Sequence, residues 1–81
     1  MNPAADVWAK VLDLMQPEMT TTTIKTWFDD ATAVALEETR FVLYSPTRWK
    51  RDIIASRYVS KIQTALRELF SADLDVVVLT E

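Results

Sequence analysis

The chain has 81 residues, 49% of them apolar, and a formal net charge of −3, which describes one small soluble domain with a modest core. It contains no cysteine, no histidine and no glycine. These absences exclude disulfides and cysteine metal sites, remove the commonest near-neutral acid–base group, and leave no glycine-rich loop to cradle a phosphate.

Residues 7–16 read as a helix. Asp6 is the expected N-cap, Val7, Val11, Leu14 and Met15 recur at helical spacing, and Pro17 stops the element. Trp8 and Leu12 widen the apolar face beyond what one core contact needs. One edge is therefore expected to face solvent, with Trp8 on it; the alternative is that Trp8 packs on the domain's own core. Thr20–Thr23 is β-branched and poor in helix propensity, yet Thr20 or Thr21 can cap a helix over 21–28. In that helix Ile24, Trp27 and Phe28 form an apolar stripe expected in the core.

The period then falls to two. Thr32, Val34 and Leu36 alternate with Ala33 and Ala35, and Phe41 and Leu43 with Val42 and Tyr44. Strands over 32–36 and 40–44 make a hairpin around Glu37-Glu38-Thr39, without the usual Asn-Gly turn. Ser45-Pro46 ends the second strand.

Positive charge is concentrated beyond this hairpin. Six of the nine basic residues lie between Arg48 and Glu68, opposed there by Asp52 and Glu68 alone, so the stretch is +4 and the rest of the chain −7. Unlike surfaces of this kind suit docking more readily than chemistry. The stretch also changes phase. Tyr58, Val59, Ile62, Leu66, Leu69 and Phe70 share one helical arc, with Arg57, Lys61 and Arg67 on the side away from the core. A straight helix extended backward would put Trp49 and Ile53 on the opposite face. Two helices are expected, 47–54 and 57–70, with a joint at Ala55-Ser56 and Ser56 capping the second; Ile62 and Leu66 are the expected core centre. Residues 75–79 form a last strand, too apolar to sit on an exposed sheet face along its length, and expected inside or against the sheet.

The predicted order is α-α-β-β-α-α-β: an α+β domain over 1–81 with a three-stranded sheet and helices packed on one face. Carboxylate pairs at Asp29-Asp30, Glu37-Glu38 and Asp73/Asp75 fall at element ends, and Ser56 and Ser60 have no evident base. No catalysis, metal site or cofactor is expected. No apolar run exceeds five residues, too short to span a bilayer. The N-terminus does not read as a signal peptide, so a cytoplasmic location is expected. Two binding readings remain: protein docking through exposed aromatic residues, and weak single-stranded nucleic-acid binding by Lys50, Arg57 and Lys61.

Four segments carry a family resemblance: Val7-Trp8-Ala9-Lys10-Val11-Leu12, Thr23-Ile24-Lys25-Thr26-Trp27, Leu43-Tyr44-Ser45-Pro46-Thr47-Arg48-Trp49, and Asp52-Ile53-Ile54-Ala55-Ser56-Arg57-Tyr58 with Val59 and Ile62 after it. In order and spacing they resemble the N-terminal domain of the bacterial replication initiator DnaA, from Val7 to about Leu79. Trp49 stands where Phe is common, Thr47 where Asn is common, and Thr23 where Glu or Ser often occurs. The resemblance implies a KH-like fold lacking the GXXG clamp, cut from a longer initiator whose later parts hold an ATPase and an origin-binding helix-turn-helix. It implies weak self-association through the first-helix edge, here Val7 and Trp8 with Val11 and Leu12. It also implies recruitment of the replicative helicase and of initiation regulators around Thr23, Lys25, Thr47, Arg48 and Trp49. Some members bind single-stranded DNA weakly.

Overall fold

In the computed structural model, which describes residues 3–81, helix α1 spans Pro3–Met15. It begins earlier than expected because proline suits a first helical residue, where its missing N–H is no loss. Asp6 is therefore not a cap but lies in the first turn, where its charge complements the helix dipole. The earlier start adds Ala4 to the buried face. Ala4, Trp8, Val11 and Met15 are the buried residues of α1, a stripe at i, i+4, i+7 and i+11. Trp8 thus sits in the core, 7% exposed, edge-on to Phe28 with ring centres 5.5 Å apart and tilted against Phe41 at 6.2 Å. The expectation of an exposed Trp8 is overturned, and the large apolar residue that α1 leaves in solvent is Leu14.

A 3-10 turn at Gln16–Glu18 carries Pro17 and leads to α2, Thr21–Phe28. Thr20 caps α2, its Oγ1 accepting from the Thr23 N–H at 3.0 Å. Strands β1 (Thr32–Leu36) and β2 (Arg40–Tyr44) form the antiparallel hairpin. The strict alternation expected in β1 is broken by a bulge: Ala33 pairs with Leu43 but Ala35 with Val42. One extra residue, Val34, therefore lets Ala33 and Leu36 both oppose the buried Leu43 and Phe41. The turn contains no residue at positive φ. It is closed by the Glu37 N–H to the Arg40 carbonyl at 2.7 Å, with the Arg40 guanidinium on Glu37 Oε1 at 2.6 Å. That carboxylate raises the Arg40 pKa further above its already high value, first through the hydrogen bond and then through charge.

The phase change in the basic stretch is real, but its cause is not a capped break. Helix α3 (Arg48–Ile53) runs into a π-helical turn at Ile54–Tyr58 and on into α4, Val59–Phe70. The Val59 N–H bonds to the Ile54 carbonyl, five residues back. A wide turn of about 4.4 residues plus an ordinary turn of about 3.6 makes eight residues two whole turns, so Ile54 lies in line with Ile62. Both are fully buried. Ser56 caps nothing; its Oγ donates to the Ile53 carbonyl at 3.3 Å. Helix α4 ends at Ser71, in the left-handed region at φ 55° and ψ 32°, where glycine is the usual choice.

Strand β3 (Asp75–Leu79) pairs in parallel with β2, giving the order β1-β2-β3. The sheet is mixed and the helices pack on one of its faces. Val76 and Val78, opposite Phe41 and Leu43, join the core, whereas Leu79 is exposed. As an edge strand β3 would show unpaired carbonyls, but Arg51 Nε donates to the Val78 carbonyl at 2.8 Å.

Candidate protein-docking surface

Aromatic rings connect the core to the surface. From Phe41 and Trp8 the contacts pass to Phe28, then to Tyr58 at 5.6 Å, to Trp27 at 6.4 Å, and to Trp49 at 5.6 Å. Trp49 ends the series, 59% exposed. Its indole stands nearly perpendicular to that of Trp27, at 78°, an edge-to-face arrangement that favours a fixed position. Helix α3 is tied to the end of α2 by Lys50 Nζ, 3.7 Å from Asp30 Oδ2. A large apolar ring is thus held in solvent on a rigid base, as interface anchors are.

The other residues assigned to this surface lie on the same two helices. Thr23 is four residues before Trp27 and so shares its side of α2; its hydroxyl pairs with that of Thr20 at 2.8 Å. Lys25 is exposed. Thr47 is the N-cap residue of α3 but its side chain makes no capping bond. Arg48 is exposed, and its Nη2 reaches the Glu81 carbonyl at 3.4 Å, a long and weak bond. Beside it the Tyr44 hydroxyl donates to Glu81 Oε1 at 2.9 Å, and this bond, with lesser help from burial and charge, raises the phenol pKa above its ordinary value.

The remaining candidate sites do not assemble. In α1, Trp8 and Val11 are buried, and only Val7 and Leu12 are half-exposed, because the buried stripe runs through the tryptophan. The proposed nucleic-acid contacts are divided. Lys50 is engaged with Asp30. Lys61 borders a groove of about 300 Å³ between α1 and α4 that also contains Glu18 and Glu68. Arg57 is exposed. Among the described residues no group of three or more acidic, histidine or cysteine side chains could hold a metal ion.

Two functional features escape the sequence reading. Trp27, assigned to the core with Ile24 and Phe28, is half-buried and serves as the platform for Trp49; its place at the margin of the stripe, toward Thr23, was the available signal. Phe70, assigned to the buried arc of α4, is 44% exposed. It borders a second groove with Leu36, Ala72 and Leu74, because α4 ends there and no described element covers its last turn.

The sequence that builds this surface matches a known family. Residues 5–68 match the family described as the DnaA N-terminal domain. A chromosomal replication initiator protein DnaA from Gluconobacter oxydans is 32% identical over 66 residues, which cover 82% of this chain and 14% of that protein. Proteins of the same name from a Nostoc species and from Nostoc punctiforme are each 25% identical over 76 residues, 94% of this chain and 17% of theirs. The chain therefore spans about a sixth of the length of the curated relatives it matches. By this match the chain belongs to the DnaA N-terminal domain family.

Proposed function

We propose that this domain recruits other proteins to a cytoplasmic replication initiator through Trp49, supported on Trp27 and flanked by Thr23, Lys25, Thr47 and Arg48. The replicative helicase and regulators of initiation are the partners. The observation that carries the reading is a tryptophan 59% exposed at the end of an aromatic series that starts in the core and is half-buried at Tyr58 and Trp27. Its exposed ring offers apolar area to a partner, while Arg48 adds positive charge that favours an acidic one. The mixed sheet with helices on one face suits a KH-like frame, and a chain without glycine has no GXXG clamp with which to grip a single strand.

The test is amide-shift mapping of the isolated chain on addition of the replicative helicase, for wild type and Trp49→Ala. Shifts should cluster on α2 and the start of α3, and the variant should stay folded and lose them. Shifts that persist in the variant, or that map elsewhere, would remove Trp49 from the role.

A second, weaker activity is binding of single-stranded DNA. Arg57 supports it, exposed and without an ion pair among the described residues, but it has little help from its neighbours.

A further inference from the structure

The groove between α1 and α4 combines an apolar floor with charges of both signs that have no partner. Its floor is Met15 and Ala65, both buried. One wall carries Leu14, the large apolar residue that α1 leaves in solvent. The other carries Lys61, Thr64 and Glu68. At 100° per residue Lys61, Ala65 and Glu68 stay within about 60° of one another around α4. That helix therefore presents a small residue between two charged ones. Lys61 and Glu68 are two turns apart, about 10 Å along the axis, too far to pair with each other. Neither of them, nor Glu18 on the remaining edge, makes an ion pair among the described residues, although Lys61 is half-buried.

These features sort the classes of ligand. Two carboxylates in the groove repel a phosphate backbone or an anionic headgroup. A small polar molecule needs several converging polar groups to fix it. Here Thr64 Oγ1 donates to the Ser60 carbonyl at 3.0 Å, which leaves Lys61 as the free side-chain donor among the described lining residues. A wholly apolar ligand would strip water from the ammonium and return nothing. The groove runs between two helices, admits close approach at Ala65, and offers opposite charges two turns apart. Those are the requirements of a third helix laid on the pair.

We propose that the groove between α1 and α4 docks an amphipathic helix of a partner protein. That helix carries an acidic and a basic residue seven positions apart, with aliphatic residues between them. The acid meets Lys61, the base meets Glu68, and the aliphatic side chains cover Leu14 and Ala65. The charged contacts lie at the rim, so binding weakens as salt rises. No lining residue belongs to α2 or α3, so this surface shares nothing with the one around Trp49 and stands whether or not that one recruits proteins.

The probe is a stapled helical peptide of about four turns, with Glu and Lys seven positions apart and two leucines between. Two controls keep the leucines and carry Lys at both charged positions or Glu at both. Each is titrated into the isolated chain, read by amide-shift mapping and by anisotropy of the labelled peptide. Shifts should cluster at residues 14–18 and 61–68, and the mixed peptide should bind roughly fivefold more tightly than either control. Lys61→Glu should make the double-Lys peptide the tightest of the three. Should that variant melt early, Glu68→Lys, at an exposed position, takes its place and should favour the double-Glu peptide. Leu14→Asp should weaken all three peptides, and Trp49→Ala should bind them like wild type. No shift at the groove, equal binding of the three peptides, or an order of affinity that charge reversal leaves unchanged would each overturn the proposal. So would peptide binding lost in a folded Trp49→Ala. Shifts at the groove on adding a thymidine oligonucleotide, or on concentrating the chain alone, would overturn it in favour of nucleic acid or of a second copy.

Discussion

Three residues show how far side-chain chemistry alone can be read. The letters Val7-Trp8 do not say which side of α1 is buried, because apolar residues cover more of the helix than one core contact needs; in the fold the buried side is the one shared with Ala4, Val11 and Met15. The resulting stripe buries Trp8 between Phe28 and Phe41. Truncating such a ring removes its burial and leaves a cavity, costing about 3–5 kcal/mol, a large share of the stability of so small a domain. Trp8→Ala should therefore lose cooperative folding in a urea melt. A mutant with wild-type stability would return Trp8 to the surface. Trp49 has the same side chain and the opposite situation, and only the phase anomaly in the sequence distinguishes it. Ser71 shows the consequence of a chain without glycine. A non-glycine residue in the left-handed region costs about 1–2 kcal/mol, part of which is returned by a less flexible unfolded chain. Ser71→Gly should stabilise the domain by about 0.5–1 kcal/mol, seen as a higher urea midpoint at unchanged slope. A lower midpoint would show that the Ser71 side chain contributes more than its backbone costs.

At the scale of elements, periodicity marked what forms and missed how irregularities are built. Alternating letters place β1 and β2, but the bulge at Val34 leaves no trace, because Ala33, Val34 and Ala35 are all small or apolar and fit either face. The break in helical phase after Trp49 was legible from Ile53 and Tyr58. Its mechanism was less so, since a capped break and a π-helical turn shift the phase alike. The absence of glycine and proline from residues 53–59 was the hint that the helix continues. The π turn is in effect one inserted residue, so removing one should restore a straight α-helix. Deleting exposed Ser56 leaves seven residue steps from Ile54 to Ile62, about 700° at 100° per residue, so the two stay in line to within about 20° and Trp49 keeps its place on Trp27. The expected result is a thermal melt no earlier than wild type with unchanged tryptophan fluorescence. An early melt with altered emission would mean that the wide turn itself, and not the phase it restores, aims Trp49.

For the whole molecule, the distribution of charge is visible in sequence but its cancellation is not. The +4 of the basic stretch suggests a nucleic-acid surface only until each partner is found. Lys50 meets Asp30, Arg51 meets the Val78 carbonyl and Asp52, and Arg67 meets Asp73. Asp30 and Val78 lie 20 and 27 positions from their basic partners, beyond the reach of any local pattern. Lys61 shares its groove with two glutamates, which leaves Arg57 as the basic group of the proposed trio best placed to meet a phosphate. Binding of a single strand releases counterions in proportion to the phosphates neutralised, with a log–log slope near −0.7 per contact. With one or two contacts, anisotropy titration of a labelled thymidine oligonucleotide should give a slope shallower than about −1.5 and affinity only at low salt. Arg57→Ala should weaken it further, whereas Lys50→Ala should mainly free Asp30. A slope steeper than about −3, which needs four or more contacts, would mean that the ion pairs to Asp30 and Asp73 open on binding and that the basic helices act as one surface.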